Sequence, residues 1–493
     1  MILEILVIHI LVLVVIYLKY QRRFQLAQKI PGPWFIPCVG NVQLASLTAE
    51  TLFLKLNDYS KEYKDCFRMW LGTSLWVFIH NPKDIQELLN KRELLRVDEF
   101  YHLHPLIGDG LLLLNGNRWS LHRKALSHAF STNILRQFFP AISRHADVLV
   151  SKLNTTDNVE ITDYLLLCIL DAICETSMGA HINAQMDSKS AYVEAFHNAS
   201  HILFKRMSNP LLQSHYVFRL TPDYKKVKMA IATLHALTDN IISAKRKQLN
   251  GHIKEDENPE GTRKPALLDV LMQCEINGKH LTDQEIKDHV NTFLFAGIDT
   301  TKSGTSFILY NIAKYKNVQE RLYEEITSLI GTDPGQEINA SYIPNLPYLD
   351  AVMKESLRLH TAVPVSARQT AKEITIGNYT YPESTALWIN IYGMCHDSRI
   401  FKSPYEFNPD RFLTPDWVDE HGDYAFIPFS AGLRVCIGKQ YAIFTMKTII
   451  IKILLSYQIE LTYPEEQLQL LAEMVLKSKT GINLKFRKRE SNK

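Results

Sequence analysis

The sequence predicts a mainly α-helical fold with small β-sheets. Two observations carry that prediction. Helical periodicity dominates from about residue 118 onward, and its longest run spans Leu281 to Tyr315. Strand-like pieces are few and short: Phe67 to His80, and stretches near 374–388 and 475–487. With 493 residues, 46% hydrophobic and 22% charged, the chain is long enough for two or three average domains or for one large one.

The N-terminus stands apart. Met1 to Leu18 is almost wholly apolar, broken only by Glu4 and His9, and Lys19, Arg22 and Arg23 follow directly. The run is at the short end for spanning a bilayer. A cleaved signal peptide would carry its basic residues first and small residues after; here that order is reversed. Positive flanks stay cytoplasmic. The expectation is one N-terminal transmembrane helix at 1–18, with the rest of the chain facing the cytosol. Pro31-Gly32-Pro33 cannot continue a helix and closes a basic linker, 19–33, as a stiff hinge. One large domain, 34–493, follows.

Taken in order, Phe67 to His80 reads as a hairpin broken at Gly72-Thr73-Ser74. Asn81-Pro82 opens a helix through Leu89, with an N-cap and a proline in the first turn. Asp98 to Asn117 reads as loop. Asn250 to Lys264 is polar and carries Gly and Pro, so it is expected as a surface loop between helices. Thr282 and Glu285 make a capping box for the long helix. A further helix runs from about Leu346 to His360.

Several functions are excluded early. A net charge of +3 gives no overall basic field for nucleic acid. The seven cysteines form no C-x-x-C pair, so neither a zinc ribbon nor a thioredoxin motif is available, and reduced thiols are expected. Gly108-Asp109-Gly110 lacks the third glycine of the dinucleotide fingerprint, and there is no P-loop. The chain is therefore not expected to bind its own nicotinamide or flavin.

The chemistry centres on Phe429-Ser430-Ala431-Gly432-Leu433-Arg434-Val435-Cys436-Ile437-Gly438. An apolar run from Tyr441 to Leu455 follows, so Cys436 sits near the N-terminus of a buried helix. Unpaired N–H groups and the helix dipole there favour a thiolate. Gly432 and Gly438 would let backbone approach a flat cofactor, and Arg434 would reach an anionic group at its edge. Within the long helix, Gly297 costs about 1 kcal/mol against Ala and so invites a reason. Thr300 can bond the carbonyl of Ala296, four residues back, beside that glycine. Asp299 next to Thr300 is an acid beside an alcohol, suited to relaying protons. Lys302 points roughly 200° from Thr300 on the helical wheel and is expected to face packing or solvent. Glu355 and Arg358, three apart, share a helix face. Trp119 and Arg123, four apart, face the same way and are donors only, suited to a carboxylate.

These residues resemble one family closely. The cysteine stretch fills every fixed position of the F-x-x-G-x-R-x-C-x-G signature of the cytochromes P-450. Ala296 to Thr301 is similar to the family's A-G-x-D-T-T oxygen-activating helix, and Trp119 to Arg123 to its W-x-x-x-R. Glu355 to Arg358 is similar to its E-x-x-R, joined downstream by Arg411. The resemblance implies the P-450 fold, noncovalent haem b, and Cys436 as the axial ligand of iron. It implies propionate contacts from Trp119, Arg123, Arg368 and Arg434, with Phe429, Gly432, Gly438, Ala296 and Gly297 against the cofactor. Thr300 and Asp299 would be the proton relay. Glu355, Arg358 and Arg411 would be structural.

Within the family, Pro31 to Pro37, the long-helix centre and the cysteine loop most resemble the animal family-four fatty-acid ω-hydroxylase clan, insect-like members included. Many of its members carry Glu before the helix glycine, where it can form an ester to haem. Ala296 stands there in this chain, and Ile298 replaces the usual His, so a covalent link is not expected.

The resemblance implies a monooxygenase of an apolar, lipid-like or xenobiotic substrate at the endoplasmic reticulum membrane. Electrons would come from NADPH through a separate cytochrome P-450 reductase, with cytochrome b5 as a further partner. Arg118, Lys124 and Lys439 are expected near the docking face. The substrate-facing segments would be Tyr101–Leu114, 197–220, Phe293–Thr300, Thr361–Val365 and Lys477–Gly481. The competing readings are a haem-thiolate isomerase or dehydratase, which needs no proton relay, and a non-catalytic membrane haem-binding protein.

Overall fold

The computed structural model describes residues 14–15, 17–36, 39–41, 48–153, 158–187, 190–251, 266–414, 421–464 and 468–489. The longer helices are α1 (Gln21–Gln28), α2 (Ala49–Glu62), α3 (Pro82–Leu89), α4 (Gly116–Ser127), α5 (Phe139–Lys152), α6 (Ile161–Met178), α7 (Ala191–Ser208), α8 (Pro222–Gly251), α9 (Asp283–Lys314), α10 (Lys316–Ile330), α11 (Pro347–Leu359) and α12 (Lys439–Ser456). The strands are β1 (Cys66–Leu71), β2 (Ser74–Ile79), β3 (Val159–Glu160), β4 (Glu275–Ile276), β5 (Lys279–His280), β6 (Val365–Gln369), β7 (Ile374–Ile376), β8 (Tyr379–Tyr381), β9 (Ala386–Asn390), β10 (Tyr457–Leu461), β11 (Leu470–Ala472), β12 (Leu476–Ser478) and β13 (Asn483–Lys488).

Helix α9 is the axis of the bundle. Its capping box forms as the sequence predicts: Glu285 N donates to Thr282 Oγ1 at 3.2 Å, and Thr282 N donates to Glu285 Oε2 at 3.0 Å. Helices α6, α11 and α12 pack on it. Residues Leu165 to Met178 of α6 and Ile449 to Leu455 of α12 are buried without a break, which is how a helix enclosed on all sides reads. Gly304 of α9 meets Leu357 of α11 and Met446 of α12, where a side chain would press on both.

The main sheet has the order β1-β2-β9-β6. The β1–β2 hairpin pairs Leu71 with Ser74 across the turn, as the sequence suggests. β2 runs parallel to β9, and β9 antiparallel to β6. Asn81 caps α3 through its side chain. The sheet has its own core, in which Trp70, Val77, Leu387 and Ile389 meet Phe24, Ala27 and Ile30.

Two expectations change here. The 19–33 segment is more than a linker. Helix α1 buries Phe24 and Ala27 against the sheet, and Arg22 pairs with Glu373 at 2.8 Å. Pro31 O accepts from Arg68 N at 2.8 Å, and Gly32 lies so close to the Arg68 carbonyl that a Cβ would collide. The Pro-Gly-Pro turn is thus fastened to β1. Asp98–Leu103 forms a 3₁₀ helix and His104–Ile107 one helical turn, where loop was expected. The apolar 1–18 segment lies almost wholly outside the described residues, as does 252–264 of the expected surface loop. Among the described residues no helix is long and apolar enough to cross a membrane.

Candidate haem site

The Cys436 loop is shaped before the cofactor is considered. Ser430 and Gly432 both adopt positive φ, at 58° and 65°. Cys436 N donates back to Phe429 O at 3.0 Å, and Val435 N to Gly432 O at 3.2 Å, closing the turn. Gly438 caps α12, so Cys436 lies two residues before the helix, as the sequence indicates. The two glycines differ in role. A Cβ at Gly432 would strike Leu89 O of α3, and Gly432 does not line the cavity. Its glycine serves the turn and the contact with α3, not the approach of a cofactor. Gly438 lines the cavity, and a Cβ there would meet nothing within 4 Å.

Cys436 opens onto a cavity of about 420 Å³. Enclosure by the surrounding chain pushes its thiol pKa up, against the Gly438 N–H, Arg123 and Lys439. The free thiol is therefore not activated as the helix N-terminus alone suggested. A coordinated metal removes that proton outright. Among the described residues no cluster of three or more His, Cys, Asp or Glu is arranged around an ion. A single thiol suits iron carried in a macrocycle.

The basic residues supply the second test of fit. Leu95 and Gln369 exchange backbone hydrogen bonds at 2.9 Å, which sets Arg96 beside Arg368. Arg434 donates to Leu114 O at 2.8 Å and to Asn115 Oδ1 at 3.3 Å, and its guanidinium lies 4.0 Å from the Trp119 ring centroid. Arg123 also lines the cavity. Burial and mutual repulsion lower the pKa of Arg434 to about 9 and hold Arg368 well below its usual value, while burial lowers Arg96 to about 10. No carboxylate acts on any of the three. Arg368 spends one N–H on its neighbour's carbonyl, Ala367 O at 2.8 Å, and Arg96 Nε is buried without a partner. Buried cations require anions. Two carboxylates of a planar cofactor answer that requirement. Sequence reasoning missed Arg96, which sits in no motif; its pairing with the Arg368 strand is tertiary.

Helix α9 passes over the same cavity, exposing Phe293, Ala296, Gly297, Asp299 and Thr300. Thr300 Oγ1 donates to Ala296 O at 2.8 Å, the bond expected from the four-residue spacing. The helix runs unbroken through it. Lys302 departs from expectation in its partner: it is buried and pairs with Asp299 at 2.8 Å. The helical wheel gives direction but not what a long side chain can bend back to meet.

Glu355 and Arg358 form a bidentate pair, Nε to Oε2 and Nη2 to Oε1, both 2.8 Å, and Arg411 Nε adds a bond of 3.0 Å to Oε1. None of the three lines the cavity.

The remaining wall is apolar: Phe100, Leu111, Leu112, Phe204, Val363 and Val365. All but Phe100, which lies just before Tyr101, fall in three of the expected segments, and Phe293–Thr300 of α9 is a fourth. The C-terminal contribution is Ala472–Val475, not Lys477–Gly481. Leu52, Phe53 and Leu56 of α2 also contribute, as do Trp76, Phe78 and Trp388 of the sheet, with no sequence signal beyond hydrophobicity. Arg118 is engaged within the chain, at 3.3 Å from both Asp109 and Glu285.

Comparison with known proteins agrees with this geometry. The cytochrome P450 family model matches residues 30–486. The chain is 33% identical to Cytochrome P450 4c3 of Drosophila melanogaster, covering 98% of this chain and 93% of that protein. It is 34% identical to Probable cytochrome P450 4d20 of the same fly, covering 94% and 93%. Among solved structures it is similar to the cytochrome P450DA heme domain, with a TM-score of 0.80 and 22% identity over 94% of this chain and 97% of that one. That last likeness speaks for the fold alone. The family model and the relatives settle the assignment: the chain belongs to the cytochrome P450 family, as a monooxygenase with noncovalently bound haem b.

Proposed function

We propose that this enzyme hydroxylates an apolar, lipid-like or xenobiotic substrate, using electrons that a separate NADPH–cytochrome P-450 reductase delivers, with cytochrome b5 as a second donor. The observation that carries the substrate class is the cavity wall: aromatic and aliphatic side chains from α2, α7, α9 and the sheet enclose it. The likeness to family-four relatives is in keeping with that class.

Haem b, held on Cys436, would supply the oxygen-activating redox chemistry. Every other role belongs to the chain. Trp119, Arg123, Arg368, Arg434 and the newly found Arg96 hold the two propionates. Phe429, Gly438, Ala296 and Gly297, which line the cavity, would lie against the cofactor. Thr300 Oγ1 hands on protons that reach the cavity by way of Asp299. Glu355, Arg358 and Arg411 brace the chain around the cysteine loop and touch no reactant.

The same reading puts a membrane anchor in 1–18 and the catalytic domain on the cytosolic face of the endoplasmic reticulum. Exposed Leu211, Tyr216, Leu220 and Met229 support membrane contact by a second segment. Lys124 and Lys439 are the docking cations, since Arg118 already has two acidic partners. The test is reconstitution with reductase, NADPH and vesicles, followed by a metabolite screen. Hydroxylated products of apolar compounds are expected. Turnover on NADPH without a partner, or products only from polar substrates, would overturn the reading.

A further inference from the structure

Asp299 and Lys302 stand almost one turn apart on α9, and both are nearly fully buried. Lys302 Nζ lies 2.8 Å from Asp299 Oδ1 and 5.6 Å from the Phe196 ring centroid of α7. The pair is held by charge at hydrogen-bond distance, and Asp299 lines the cavity.

The surroundings are charged as well. Asp163 of α6 meets His197 Nε2 of α7 at 2.9 Å. Glu473, between β11 and β12, meets His201 Nδ1 of α7 at 2.7 Å and Lys477 Nζ at 2.6 Å. The groups that act on Asp299 are Lys302 on its own helix, Lys477 of β12 and His197 of α7, with Asp163 and Glu473 behind them.

A carboxyl buried alone takes up a proton. Burial does push Asp299 that way, but Lys302, then Lys477 and His197, outweigh it and leave its pKa below the ordinary carboxylate value. At neutral pH Asp299 is therefore ionised. An ionised acid has no proton to give. It accepts one first, and that proton also dissolves its attraction to Lys302.

We propose that Lys302 is a positioning residue of the proton path: it holds Asp299 ionised and turned into the bundle, so that an arriving proton both loads Asp299 and releases it towards Thr300. This rests on the reading of Asp299 and Thr300 as the relay. The proton enters at the Asp299 carboxylate, the ion pair breaks, and the neutral carboxyl becomes a donor. Lys302 is the gate on that exchange.

The test uses the full haem-loaded chain and has two independent arms. The first reads the charge pair without turnover. Lys302→Met, with Asp299→Asn/Lys302→Met as control, is followed by infrared spectroscopy and by the urea midpoint across about pH 5 to 8. The sign follows from the pKa. With Lys302 present, the pair stabilises above the ordinary carboxylate pKa and that stability is lost in acid. Without Lys302, burial is no longer offset by the nearest cation and the Asp299 pKa rises, so the variant is weakest at high pH and recovers on acidification. A protonated-carboxyl band is expected in Lys302→Met, and neither in wild type nor in the double variant. Lys302→Arg should restore wild-type behaviour. The wild-type pH profile in Lys302→Met, with no such band, overturns the proposal.

The second arm reads the share of NADPH electrons lost as hydrogen peroxide. It should rise at least twofold in Lys302→Met and return in Lys302→Arg. An unchanged share in Lys302→Met, while Thr300→Ala and Asp299→Asn both raise it, removes Lys302 from the path. No effect of Thr300→Ala or Asp299→Asn would instead remove the relay itself.

Discussion

Glu355→Ala takes away the one carboxylate inside a buried arginine pair. Glu355 accepts two bonds of 2.8 Å from Arg358, one of 3.0 Å from Arg411 and one of 2.9 Å from Asn408 N. Glu355 and Arg358 are both 0% exposed. The other Arg358 N–H groups donate to the carbonyls of Cys395, Pro404 and Glu406 at 2.8, 2.7 and 3.0 Å. Those dipoles remain after the substitution, but the charge is left without an anion. Breaking a buried pair from one side costs about 3–5 kcal/mol, against about 0.2–0.5 kcal/mol for the same spacing on an exposed helix. An unfolding entropy of about 2.1 cal/mol/K per residue over 493 residues gives about 1 kcal/mol per degree. Tm should therefore fall by about 3–5 °C, with a matching loss of haem retained on gel filtration. Calorimetry at a fixed scan rate reads the first and haem absorbance the second. Glu355→Ala melting within about 1 °C of wild type, with full haem content, would refute the assignment of this triad to the frame of the molecule.

Cys436→Ala should abolish the red-shifted Soret band of the reduced protein under CO, and loss of any other cysteine should leave it. Acidified organic extraction should release the haem quantitatively, because Ala296 offers no carboxylate; protein-attached haem would show that another residue substitutes. Thr300→Ala should raise the peroxide share and lower product per NADPH while substrate-binding spectra persist. Charge reversal at Lys124 or Lys439 should raise the reductase concentration needed for half-maximal rate, and added salt should do the same to wild type; an unchanged requirement in both variants would move the docking face elsewhere.

Local chemistry made the frame legible before any coordinates. The Thr282–Glu285 box, the Asn81 cap and the break at residues 72–74 are each decided by residues within one turn of one another. The signature around Cys436 likewise compresses a three-dimensional site into ten positions. What the sequence concealed is what tertiary packing assembles. Arg96 has no motif of its own and acquires its role by pairing Leu95 with Gln369, 274 positions away, beside Arg368. Gly432 was legible as necessary but not for the right reason, because its neighbour is Leu89 of α3. Lys302 was read by its angle, while its four-carbon stem let the ammonium return to Asp299. Ala472–Val475 reach the cavity through a short hairpin whose register no periodicity reports.

The arginines explain why fold and cofactor belong together in this chain. Arg368 is enclosed, has Arg96 and Arg434 for charged neighbours, and meets no carboxylate. A protein selected for stability alone would place an acid there or remove the cations, since replacing buried charges with apolar groups is often neutral or stabilising. Instead the chain carries a repulsion that only an anionic partner relieves. The Arg434 guanidinium sits over the Trp119 ring, and the Leu114 carbonyl and Asn115 side chain fix it in place. The donors are therefore set before the partner arrives, and little ordering remains to oppose binding. Whatever binds the native state and not the unfolded chain stabilises by mass action. On the reading proposed for Cys436 and the arginines, that gain would include relief of the arginine repulsion, and holding the cofactor and completing the fold would be one electrostatic event.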